Sequence, residues 1–328
     1  MWTPATSVVS RVYVHSLCDS SAAGRIFLAS NSNADRCGEL GIGMPNSVKK
    51  RAAHMRKAYS GEIYEAALAG ISNDHAHGLD SCVPGQRKMN ALLALGLFNR
   101  GEDGAPPAKW LLSTLTWYTI TVSPRWNQLV FISDAPDNVT RYLVPHGDST
   151  PRLPGMRLRA MYDYRTYALE HVPTGAQLVV TSRLDGKLQG VREVSHFDFR
   201  TLDDPLDSVE ERQLADIPPM CDAAQTLLAG MAARMSMADP KGRWATGNWY
   251  WDPLRRDDGR GRDGDSDPQR KLWGAEDEWE AQWTGLPYPG DVAAALTDPM
   301  VGISGARLAK TKRVYHVDFG DSVLKIHI

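Results

Sequence analysis

The chain has 328 residues, 42% hydrophobic and 23% charged, and 37 Lys+Arg against 39 Asp+Glu leave a net charge of −2. These proportions suit a folded, soluble protein and exclude a disordered chain, a collagen-like fibre and a disulfide-dense mini-domain. So balanced a charge also argues against a protein whose main task is coating nucleic acid.

In chain order, the start lacks a basic region followed by an apolar one, so no secretory signal is expected. No stretch approaches the ~18 apolar residues of a membrane span. Cys18, Cys37, Cys82 and Cys221 are scattered without CxxC spacing, which reads as free thiols in a reducing compartment. A cytoplasmic protein is expected, or one assembled in a host cytoplasm and carried in a virion. Val8–Val14 and Arg25–Ala29 read as short strands. From Val48 to Gly70, apolar residues recur at spacings of three and four, which predicts one amphipathic helix of some six turns. Arg87–Phe98 reads as a buried helix.

After Pro106-Pro107 the pattern turns to strands. Leu115–Val122 and Gln128–Ser133 flank Pro124-Arg125-Trp126-Asn127 as a predicted hairpin. Met156–Ala168 alternates apolar with polar residues, and Gln177–Ser182 and Val191–Phe199 extend an expected antiparallel sheet. An acidic connector, Asp203–Asp216, precedes a third helix whose stripe runs from Met220 to Met235. Asp252–Lys271 is a polyampholyte loop, and a terminal hairpin turns at Gly320-Asp321. The expected class is α+β in three portions: a mixed α/β portion over 1–105, an antiparallel β portion over 106–200, and a helical, Trp-rich, loop-rich portion over 201–328.

Three groups of side chains are candidates for function. His75, His77, Asp80 and Cys82 are metal-ligand types within one loop, and an HxH can place two imidazoles on one ion. Amidohydrolase-type enzymes carry an HxH, but there it ends a core strand, whereas here it follows a helix. The HxHxDH of metallo-β-lactamase-like enzymes is not met at Gly78-Leu79-Asp80. Lys49, Lys50, Arg51, Arg56 and Lys57 make the start of the first helix basic, a candidate surface for RNA or an acidic partner. The glycine loop at Gly38, Gly41 and Gly43 meets neither phosphate-binding signature, and Asp263–Asp267 lacks the glycine and glutamate of a calcium loop.

The strongest anomaly is tryptophan. Six of ten, Trp244, Trp249, Trp251, Trp273, Trp279 and Trp283, fall within forty residues, with Trp279 and Trp283 four apart as on one helical face. Tryptophan is enriched at protein–protein hot spots and equally suits a small satellite core. With the apolar last residue Ile328, this cluster is a candidate interface. The expectation is a structural or assembly protein that tiles against copies of itself or a coat-type partner, in the manner of capsid and outer-surface decoration proteins, with no cofactor. The alternatives are a metal-assisted hydrolase using His75, His77 and Asp80, and an RNA-contacting accessory protein using the basic helix start.

Overall fold

A computed structural model describes residues 45–71, 77–99, 110, 112–146, 152–162, 165–192, 199–247, 270–283 and 286–328. The strands expected at 8–14 and 25–29, the glycine loop at 38–43 and most of the polyampholyte segment lie outside them.

The long first helix is two helices. α1 (Pro45–Ser60) ends where Gly61 takes φ +73°, and α2 (Tyr64–Ala69) follows. The break turns Glu62 inward, where Ser60 Oγ donates to its carboxylate at 2.7 Å. The periodicity runs across the break because both helices feed one cluster, Ala52, Ala53, Ala67 and Ile71. α3 (Pro84–Leu97) is buried from Met89 onward, as its all-round apolar pattern predicts. Pro84 sits in its first turn, where the fixed φ suits a helix and no amide partner is lost.

Leu115–Tyr118 forms a helical turn, α4, and β1 (Thr119–Arg125) starts only afterwards. β2 (Gln128–Ser133) returns after a turn of Trp126 and Asn127 alone. α5 (Pro136–Leu143) crosses the sheet. The alternation expected over 156–168 is a hairpin, β3 (Met156–Tyr162) and β4 (Thr166–His171), with Arg165 at φ +55° in the turn. β5 (Ala176–Thr181) and the two-residue β6 (Val191–Arg192) complete six strands in the order β1-β2-β5-β4-β3-β6. This sheet is mixed, not antiparallel throughout. Once α5 has carried the chain across the sheet, β5 lies beside β2 and runs the same way.

The acidic connector contains α6 (Ser208–Ala215), whose capping box pairs Asp207 with Glu210. α7 (Asp222–Ala233) packs along α3. β7 (Arg270–Ala275), β8 (Glu278–Trp283), α8 (Pro289–Thr297), β9 (Arg307–Lys310), β10 (Val314–Phe319) and β11 (Ser322–His327) follow. Their sheet has the order β7-β8-β11-β10-β9, with β8 and β11 parallel. Trp279 and Trp283 therefore stand on a strand, not a helix. The terminal hairpin forms as expected, and β11 lies inside the sheet with Ile326 buried. One core cluster runs from Met89 on α3 through Leu178 on β5 to Ile326 on β11, so described residues from each of the three expected portions contribute to it. The class is α+β, and no helix among the described residues is long and apolar enough to cross a membrane.

His171 is a buried titratable group in this core. Its Nε2 lies 3.0 Å from the Pro154 carbonyl, which can only accept, so Nε2 carries the proton and Nδ1 accepts from Thr174 Oγ1 at 2.9 Å. Burial pushes its pKa down to about 4, the Pro154 bond working weakly the other way. Between that value and the unfolded value near ~6.5, the unfolded chain binds more protons, so stability falls as pH drops through this window. Urea midpoints of His171→Gln should fall less steeply than wild type from pH 6.5 to 4; equal slopes would show that His171 is not held neutral.

Candidate functional site

Residues His77 to Ser81 line a cleft of about 690 Å³ whose far wall is the loop 297–306. Both walls are tied down by arginine. Arg234, fully buried at the end of α7, grips both Asp80 oxygens at 2.7 and 2.6 Å and donates to the Val301 carbonyl at 2.8 and 3.0 Å. Asp298 accepts from the amides of Met300 and Val301, from Trp244 Nε1 at 3.2 Å and from Arg243 Nη2 at 3.1 Å. Burial lowers the pKa of His77, and its Nδ1 has no hydrogen-bond partner among the described residues. Burial also pushes the Cys82 thiol up to about 11, against the pull of Arg87.

This arrangement changes the reading of the metal candidates. Asp80 pairs with Arg234 bidentately, which engages one lone pair on each oxygen and sets a positive charge beside any cation that would bind there. His75 lies outside the described residues, and among those described no three His, Cys, Asp or Glu side chains converge to hold an ion. A thiol raised this far reacts slowly, because the thiolate is the nucleophile. Peptide-resolved alkylation at pH 7.5 should label Cys82 about tenfold or more slowly than a free cysteine. Labelling at the free rate would show that Cys82 is not shielded in its half-buried position.

In the basic helix start, Lys50, Arg51 and Lys57 are exposed and Lys49 is half-buried, but Arg56 is fully buried. Position 56 falls on the inward stripe with Ala52, Ala53 and Tyr59. Its guanidinium donates to Glu62 at 2.7 and 2.9 Å and to the carbonyls of His77 and Pro124 at 2.9 and 2.7 Å. Arg56 thus holds α1, the cleft loop and β1 together, and it is removed from the surface candidate.

The tryptophans divide in the same way. Trp279 is buried in the main core, and Trp244 packs on Tyr59 with ring centroids 5.9 Å apart, so neither can reach a partner. Both are corrected from interface to core, because their strands and loops turn them inward. Trp249 and Trp251 lie outside the described residues, and Trp283 is placed on β8 by its backbone. Trp273 remains: it is 38% exposed and stacks on His327 with centroids 6.2 Å apart. Ile328 is 54% exposed, its amide donating to the Arg313 carbonyl.

Trp273 marks the outer face of the β7–β11 sheet. α7 and α8 pack against the other face, burying Leu272, Ala281, Val317, Leu324 and Ile326. The outer face carries Glu278 and Glu280, paired with Lys325 and His327 at 3.4 and 3.0 Å. The two edges differ. On β7, Asn99 satisfies both the amide and the carbonyl of Leu272, closing that edge from within. On β9 all four residues are exposed.

Sequence reasoning missed the arginine networks. Arg157, fully buried, binds Glu210 at 2.7 and 2.8 Å, and Arg200 bridges Glu210 to Asp207. The spacing Asp207-x-x-Glu210 before Leu214 is the visible trace of that network. Compared with protein-family models, curated proteins and solved structures, the chain matches none.

Proposed function

We propose that this chain is a subunit of a larger assembly, a structural protein of the coat or outer-surface kind that tiles against copies of itself through its C-terminal sheet. One observation carries the reading: among the described residues, helices pack against one face of this sheet, while residues of its outer face and of the β9 edge are exposed. On the outer face Trp273 is 38% exposed, and β9, beside α8, is exposed at all four residues, Leu308 to 44%. Strand edges of this kind pair with other chains unless they are blocked. The acidic groups that line the cleft, Asp80 and Asp298, are engaged by arginines that fix its walls, which favours a framework role for them.

Size-exclusion chromatography with light scattering, over a concentration series at low salt, tests the proposal. A mass rising above the 36.2 kDa of one chain is expected. Replacing Trp273 by Ala should weaken the association while changing the stability of the single chain by about 1 kcal/mol or less, since the ring is partly solvated. A constant 36.2 kDa at every concentration would overturn the proposal.

A further inference from the structure

We propose that copies of this chain associate head to tail, the basic β9–β10 corner of one copy receiving the acidic turns at the opposite end of the same sheet in the next. This deepens the assembly reading above and rests on it.

The acidic end is built by two neighbouring turns. β8 and β11 run parallel, so the turns that precede them lie side by side, and the Val323 amide donates to the Asp277 carbonyl at 2.9 Å. Glu276, Asp277 and Asp321 are exposed there and meet no cation within ion-pair distance among the described residues. Asp318, one step in, lies opposite Arg307 in register, so these two offset each other. The start of α7 fixes the Glu276 turn, through the bond from the Cys221 amide to the Glu276 carbonyl.

At the other end, Lys310, Lys312 and Arg313 are exposed on the β9–β10 turn and meet no carboxylate among the described residues. Lys310 lies over the Tyr315 ring at 4.7 Å, and Thr311 closes the turn by bonding Val314. Six-residue strands separate the two ends by about 20 Å, at roughly 3.3 Å per residue. That distance is twice the ~8–10 Å over which salt screens exposed charges, so the ends cannot neutralise each other within one copy.

The same charges select the geometry of contact. The bond from the Thr311 amide to Val314, continued in antiparallel alternation, points the backbone groups of Leu308 and Lys310 out of the edge. Two copies pairing β9 with β9 antiparallel would bring the unpaired cations Lys310, Lys312 and Arg313 of both copies within about one Debye length of each other, which like charge opposes. A two-fold contact at this edge is therefore disfavoured, and a basic end meeting an acidic end remains. Such a contact is heterologous and builds a ring or an open filament. Exposed pairs are individually weak, so the association should be modest and fade with salt.

Charge exchange tests it on the full chain. One variant carries Glu276→Lys, Asp277→Lys and Asp321→Lys; the other carries Lys310→Glu, Lys312→Glu and Arg313→Glu. Each alone should raise the self-association constant Kd about tenfold or more, as removal of a few ion pairs implies. An equimolar mixture should recover association, because basic-ended and acidic-ended copies alternate. Circular dichroism of each variant confirms folding, and recovery in the mixture itself requires folded partners. Wild-type association that neither variant weakens would overturn the head-to-tail contact and leave the assembly reading standing. A wild-type chain that stays single at every concentration would overturn both.

Discussion

Replacing Arg56 by Met is expected to lower the free energy of unfolding by about 3–5 kcal/mol, the cost of leaving one member of a buried ion pair without its partner. Arg56 and Glu62 are both fully buried, and the guanidinium also satisfies two carbonyls from other segments. Burial alone would raise the pKa of Glu62, but Arg56 outweighs it and holds the carboxyl below its ordinary value. In the native chain, this stabilisation is present above the unfolded carboxyl pKa and lost as pH falls through the lower folded one. Without Arg56 the burial is opposed only by the hydrogen bonds from Ser60 and Ser123, so Glu62 takes up a proton at a higher pH than in the native chain. The deficit should therefore be larger at pH 8 than at pH 5. Urea unfolding of wild type and Arg56→Met at the two pH values measures it; a deficit below about 1 kcal/mol, or one equal at both pH values, contradicts the expectation. Changing Glu62 to Leu in the same variant should recover part of the loss, since an apolar pair no longer strands a charge.

Trp279→Ala is expected to cost about 3–5 kcal/mol in stability, the range for removing a large aromatic from a packed core. Trp279 stands on β8 with 1% exposure, among the side chains that join the β7–β11 sheet to α7 and α8. Trp273, six residues earlier, faces the other way from the same sheet. The pair separates two roles that composition alone merges: loss of Trp279 should unfold the chain at lower urea, and loss of Trp273 should chiefly weaken contact with a second copy. Equal urea midpoints for wild type and Trp279→Ala would remove this tryptophan from the core.

The sequence shows elements wherever one local rule decides them. The all-round apolar run Met89–Phe98 and the alternation of Val317 and Phe319 with Leu324 and Ile326 are read correctly, because burial on all sides or on one face leaves a direct periodic trace. Elements set by a single residue are not read. Gly61 breaks an unbroken apolar stripe, and Arg165 turns an unbroken alternation into a hairpin. The parallel pairing of β2 with β5 depends on α5 crossing the sheet, which no window of sequence contains.

At the candidate sites the same limit applies to charge. Arg56 stands among four other basic residues, and only its position on the inward stripe separates it from its solvated neighbours. Asp80 has the composition of a metal ligand, yet its partner Arg234 lies 154 residues away. The opposite charges of the two sheet ends were equally hidden. Glu276, Asp321 and Lys312 join particular ends only once β8 and β11 pair in parallel.

Amide hydrogen exchange, compared between dilute and concentrated protein, tests most directly the claim that assembly runs through the C-terminal sheet. Added protection at residues 307–313 and across the turns at 276–278 and 320–323, with little change in α1 or β1–β5, is the expected result. Protection confined to the basic face of α1, or absent at every concentration, would contradict it.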